Sequence, residues 1–358
     1  MKSTALALIP LLTLTAAVQA ARIELVAGGG AHSDQGAATG IALREPFGID
    51  FDSRGHAYVV EMGEGNRLWQ IDSRQHARVV GGTGDKGFGG DDGPALQATF
   101  NGVHNLAIAP DDRIYLADTW NQRIRRLAGP SLLTTTVAGT GQKGFGGDGG
   151  PATDAQLGGI YCATLDFKGE RLYLADLHNR RVRFLDLKTG RIHPFAGNGQ
   201  KGRPRNGDPA VSSPLTDPRA VAADRKGNVY ILERGGHALC VVRPDGAINT
   251  VVNAAGRKGA TGDGGPAMEA TMNGPKHICI DREDNVIIAD AENHLIRRYQ
   301  PEDGRIVRLA GTGKRGSAGL GGDPLQCQLA RPHGVTVGPD GNLYIVDSYN
   351  NRVLRIVD

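Results

Sequence analysis

The chain has 358 residues, a net charge of +3, 53 glycines and only 5% aromatic residues. So mild a charge does not by itself argue for a nucleic-acid or membrane-surface partner. The glycine content suits many short strands joined by tight turns.

The first 20 residues read as a signal peptide. Lys2 supplies the positive start, residues 5–14 the apolar run, and Val18-Gln19-Ala20 the small-residue cleavage pattern. The run is too short for a membrane span. The mature chain, residues 21–358, is therefore expected to be periplasmic or secreted, with no membrane span.

Beyond the leader one unit recurs. Tyr115-Leu116-Ala117-Asp118 is followed by Asn121 and Arg123, and Tyr173-Leu174-Ala175-Asp176 by Asn179 and Arg181. Further copies end at Asp290 and Asp347, and looser ones at Glu61 and Glu233. The acidic position thus falls at 61, 118, 176, 233, 290 and 347. Six copies at steps of 57 or 58 residues make this a repeat protein, which overrides the two-domain expectation from length.

Each copy carries four strand signals. In the second they are residues 106–108, 113–117, 123–127 and 134–139, where hydrophobic side chains alternate between polar turns. A glycine-rich loop at residues 144–150 follows, and Pro151-Ala152-Thr153 predicts one helical turn. Four antiparallel strands repeated radially form the blade of a β-propeller, an all-β fold. The fourth-strand signature first appears at Val26-Ala27-Gly28, ahead of the first full repeat. The last repeat stops after its third strand. The N-terminal strand is therefore expected to complete the last of six four-stranded antiparallel blades, closing the ring and protecting the sheet edges. A monomer is expected.

Asn293-His294-Leu295 spells NHL, and the sequence resembles the NHL-repeat family, in particular exported bacterial members with loops such as Gly147-Asp148-Gly149-Gly150-Pro151. The resemblance covers nearly all of the mature chain. It implies the propeller fold and leaves function open between binding platforms, sensor domains and lyases.

In a propeller the innermost strand is core, and only its entry can project into the central channel. Aligned on that strand, the repeats place Phe47, His104, Tyr161, Arg219, Lys276 and His333 at the entry, with His277 in the adjacent column. Packing alone would ask for small or apolar residues there. The column holds no carboxylate, which argues against hard-oxygen calcium ligation. It argues for an anionic ligand on Arg219 and Lys276. The sequence also resembles peptidylamidoglycolate lyase, an NHL branch. That resemblance implies zinc-binding histidines, met by Pro332-His333-Gly334 and, without the proline, by Val103-His104-Asn105. It also implies a tyrosine after the acidic column, met by Tyr349, and an arginine comparable to Arg234. The family needs three histidines and this column supplies two, so zinc on His104 and His333 would need a further ligand such as His277 or Tyr161.

Two functions follow. One is a binding module for a small anionic molecule, peptide or protein partner at the channel mouth. The other is a lyase in which Tyr161 and His333 handle protons or metal while Arg219 orients a carboxylate. RNA binding conflicts with the leader.

The acidic column is expected to be architectural, because every blade needs it. Arg123, Arg181 and Arg352 are expected to pair with it. The aspartates of the glycine-rich loops, Asp92, Asp148, Asp208, Asp263 and Asp323, are expected to serve turns. Leu157, Met272 and Leu329 are read as plugs, and arginines 180, 181, 183, 297 and 298 as a solvated outer face. The four cysteines form no CxxC and are expected to be free buried thiols, with a Cys240–Cys279 disulfide as the alternative.

Overall fold

The computed structural model describes residues 20–357; most of the expected signal peptide and Asp358 lie outside the described residues. Each repeat folds into one antiparallel blade, and six such sheets are present. In the second blade Val103–Ile108, Ile114–Asp118, Arg123–Ala128 and Leu133–Ala138 run from the axis outward. Neighbouring innermost strands pack on one another, and the sixth returns to the first, so the ring is closed. Leu116, Ile124, Leu172 and Ile231 are among the alternating side chains that fill the spaces between blades. The plug residues Leu157, Met272 and Leu329 are fully buried. Ala152–Asp154 is the expected single helical turn, in 3-10 form.

Closure runs through the N-terminal strand. Arg22–Gly28 pairs antiparallel with Arg352–Val357, with Ile23 opposite Ile356 and Leu25 opposite Leu354. Glu24 and Arg355 meet at 2.9 Å across this pair. The signature glycine has a steric cause. Gly28, Gly82, Gly139, Gly197 and Gly311 all have positive φ, and an added Cβ would lie 2.1–2.3 Å from a backbone oxygen of the facing turn. The fourth blade alone carries Asn253 there, also at positive φ. One strand was not foreseen: Gln35–Ala37 adds a fifth, outermost strand to the first blade.

The acidic column is buried in all six blades. Each carboxylate accepts a backbone N–H from the residue 17 positions earlier, or 18 in the third blade: Asn101 for Asp118, Gly158 for Asp176, Asn273 for Asp290, Ala330 for Asp347, Arg44 for Glu61 and Thr216 for Glu233. The Asn three residues later donates to the second oxygen of each aspartate.

The arginine partners differ from the expectation. Arg352 does pair with Asp347, at 2.8 Å. Arg123 and Arg181 instead donate to main-chain carbonyls and cover Phe88 and Phe145. Asp118, Asp176 and Asp290 are served by Arg125, Arg183 and Arg297, whose side chains are 0% exposed. Arg183 and Arg297 therefore belong to the core and not to a solvated face. A strand residue two positions on points to the same side of the sheet, which carries these arginines inward. Their other ends reach Asp91, Asp148 and Asp263 of the glycine-rich loops. Those loop aspartates are counterions as well as turn residues, and in the first such loop the partner is Asp91, not Asp92.

Deleting residues 21–30 is expected to lower the melting temperature by more than about 10 °C, since it exposes the outer edge and core face of the last blade. Calorimetry of the mature and truncated chains checks this; equal melting would refute closure by this strand. Asp118→Ala leaves Arg125 buried with one counterion fewer and should destabilise by about 3 kcal/mol in denaturant titration.

Candidate functional site

Chain geometry turns the entry residues toward the axis. In the first four blades the ladder between the two innermost strands is interrupted at Phe47, His104, Tyr161 and Arg219. A bulge of this kind re-aims the side chain of the unpaired residue. In the last two blades the ladder begins just after Lys276 and His333.

The residues of this column pack into a chain. His333 stacks on Phe47 at 4.1 Å between ring centroids, and Phe47 meets His104 edge-on at 5.3 Å. His104 meets Tyr161 at 4.4 Å, and the Arg219 guanidinium lies 4.3 Å from the Tyr161 ring centroid. Lys276 Nζ is 3.3 Å from Glu292 Oε1. Phe47, which has no polar chemistry of its own, stands between the two histidines.

A second tier lies above the ring, at the position two residues after the acidic column: Gly63, Trp120, His178, Gly235, Glu292 and Tyr349. Trp120 packs on His104, His178 on Tyr161 and Tyr349 on His333, each at 5.8 Å. Sequence reasoning singled out only Tyr349. The signal for Trp120, His178 and Glu292 was their shared repeat position. Arg234 pairs with Asp217 at 2.8 Å and repels Arg219. His277 is not at the mouth. It lies deeper, where its Nε2 is 3.0 Å from Asn105 Nδ2 across the channel. Ala163 N–H donates to Asn105 Oδ1 and fixes that amide.

Lys276 and Arg234 have carboxylate partners at the mouth, whereas among the described residues Arg219 has none. Arg219 is buried, and among the described residues its Nε and Nη1 have no hydrogen-bond partner. Burial, then Arg234, pulls its guanidinium down to about 10. Burial, then Arg219, pulls Lys276 down to about 8. Both ring histidines fall well below the usual imidazole range, first by burial and then by Arg219. They are neutral at physiological pH. His104 Nδ1 lies 2.8 Å from the Gly102 carbonyl, while His333 Nδ1 is buried without a partner. His277 is pulled down to about 4 by the same two causes.

Zinc does not fit this arrangement. Among the described residues no three His, Cys, Asp or Glu side chains are grouped to hold a metal ion. Phe47 separates His104 from His333, and His277 is engaged with Asn105. The four cysteines are free thiols; Cys162, Cys240 and Cys327 are buried and Cys279 half-buried.

Glu233, in the same blade as Arg219, is the exception among the column acids. Its Oε2 accepts N–H bonds from Thr216 and Asp217, but Oε1 is buried without a partner. Where other blades supply Arg125, Arg183 or Arg297, the fourth has Cys240, which is buried. Burial pushes Glu233 up to about 7, against about 6 for Asp118, Asp176 and Asp290.

The sequence profile of the NHL repeat matches residues 329–356. Protein SUPPRESSOR OF QUENCHING 1, chloroplastic, of Arabidopsis thaliana is 26% identical over 296 residues, covering 78% of this chain and 27% of that protein. NHL repeat-containing protein 2 of Gallus gallus is 25% identical over 343 residues, covering 87% of this chain and 46% of that protein. The chain thus spans less than half the length of these curated relatives. An auxiliary nutrient binding protein from Bacteroides thetaiotaomicron superposes with a TM-score of 0.68 at 16% identity, covering 94% of this chain and 76% of that one. At that identity the likeness is one of fold.

Glu233 makes a pH-dependent prediction. A carboxyl raised from 4.5 to about 7 by folding favours the folded state when protonated. That stability is fully present below pH 4.5 and is lost as pH rises through 7. Glu233→Gln should therefore be more stable than wild type by up to about 3 kcal/mol at pH 8, with the gap closing near pH 4.5. Melting curves at the two pH values check it.

Proposed function

We propose that this NHL-repeat β-propeller is an exported binding module that captures a small anionic ligand, a carboxylate or phosphate, at the mouth of its channel. The observation that carries this reading is the buried Arg219 guanidinium with two unpartnered nitrogens. A buried cation without hydrogen bonds costs several kcal/mol, roughly, unless a ligand supplies the missing acceptors. The planar fork of Arg219 suits two oxygens of one anion. Lys276, which also touches Glu292, adds a second cation from the next blade. Tyr161 holds Arg219 from below, and His104 and His333 offer neutral imidazoles beside it. Trp120 and Tyr349, 41% and 42% exposed, form aromatic lips for the uncharged part of the ligand. A peptide or protein partner would present the same anionic group. The fold neighbour described as an auxiliary nutrient binding protein supports this reading, and the leader in residues 1–20 supports export. Among the described residues no helix is long and apolar enough to cross a membrane.

A second reading, a lyase, rests on His333. Its unpartnered Nδ1 belongs to a neutral imidazole that can take a proton, while Arg219 orients a carboxylate and Tyr161 stands beside it.

Calorimetric titration with small carboxylates and phosphate tests both. Arg219→Ala should weaken anion binding by about 1.5–3 kcal/mol. The unliganded variant should melt no lower than wild type, because it sheds a buried unpaired charge. Wild-type binding should decline as pH rises through about 8, where Lys276 loses its proton. Under the lyase reading, His333→Ala abolishes turnover of a bound carboxylate while the binding isotherm persists. An isotherm indifferent to Arg219→Ala would refute both.

A further inference from the structure

The channel has a second mouth. Beyond the Asn105–His277 contact the innermost strands continue and open into a cavity of about 580 Å³. Three residues past the ring, each blade contributes one wall residue: Asp50, Ala107, Thr164, Ala222, Cys279 and Thr336. This tier differs from the ring in its chemistry, with one carboxylate, two hydroxyls, a thiol and two methyls.

Asp50 carries the only charge of the tier. Its oxygens accept N–H bonds from Phe51 at 2.9 Å and Ile108 at 2.8 Å. No side-chain cation bonds to it among the described residues. The nearby cations are engaged elsewhere: Arg225 holds Asp284 at 2.9 Å, and Arg282 donates to the Pro339 carbonyl at 2.6 Å. Asp50 reaches water through the cavity but is otherwise enclosed by protein, and this enclosure pushes its carboxyl up to about 6. It is ionised at neutral pH, with lone pairs unused and no counterion. At the rim Phe167 stands 69% exposed, an aromatic face of the kind that attracts organic cations.

We propose that this lower mouth is a second ligand site, specific for a small organic ammonium ion whose charged head is held by Asp50. The hydroxyls of Thr164 and Thr336 share the tier with that head, and the alkyl part lies along Ala107 and Ala222 toward Phe167. The two mouths would then select opposite charges.

The probe is n-butylammonium, titrated calorimetrically at pH 8 against 1-butanol, its uncharged analogue. The ammonium should bind and the alcohol should bind at least about tenfold more weakly, as expected when a charged hydrogen bond is lost. Asp50→Asn should weaken the ammonium by a similar factor. Because Asp50 also holds Ile108, a second variant, Ala222→Leu, fills the cavity without touching those bonds and should abolish binding. Failure of wild type to bind n-butylammonium would overturn the proposal. So would equal affinity for 1-butanol, or undiminished binding in either folded variant.

Discussion

The structure depends on a buried carboxylate at the end of the second strand of each blade. Its acceptor oxygen takes the N–H of a residue 17 positions upstream, or 18 in the third blade. That residue stands three positions before the channel residue in every blade: Asn101 before His104, Gly158 before Tyr161, Thr216 before Arg219, Asn273 before Lys276, Ala330 before His333. The acid therefore fixes the approach of the chain to the axis, and with it the direction in which the ring side chain leaves. A hydrogen bond to a charged group contributes about 1.5–3 kcal/mol, and more is lost if a buried charge is left alone. In three blades a buried arginine links the same carboxylate to the glycine-rich loop that leads into the blade. One network thus holds strand, loop and channel entry together.

The fourth blade relaxes this rule at several points. Asn253 replaces the signature glycine, Cys240 replaces the arginine, and Glu233 keeps one oxygen without a partner. The same blade presents Arg219, itself incompletely bonded, and Asp217, with a buried unpartnered oxygen beside Arg234. Departures from a repeat cost stability where they occur. Their concentration in the blade that carries the uncompensated cation places the cost next to the candidate site.

Position along the axis separates the chemistry of the channel. The ring end carries Arg219 and Lys276 within a collar of aromatic and imidazole rings. The far end carries Asp50 in a tier of alanine, threonine and cysteine side chains. Between them Asn105 of the second blade and His277 of the fifth, 172 residues apart, meet at 3.0 Å. Neither residue is required by the repeat, since the other blades place Gly48, Cys162, Ala220 and Gly334 at that level.

The amino-acid sequence alone encodes the repeat, the number of blades, the strands within each and the closure of the ring. These follow from local alternation and a constant period, and a strand must pair with its neighbours wherever it lies. It also located the ring residues His104, Tyr161, Arg219, Lys276 and His333, because a single repeat position must surround a single axis. Which side chains meet is set by packing in three dimensions. That Arg125 and not Arg123 serves Asp118 depends on where along one shared face of the third strand each guanidinium lands. That Trp120, His178 and Glu292 crown the ring depends on a tight turn folding back over the channel. That Phe47 parts the two histidines, and that His277 bonds to Asn105 instead of joining them, depends on depth along the axis. A period along the chain encodes angular position around the ring. It carries no measure of depth or of contact across the channel, and those arise only when six blades are packed against one another.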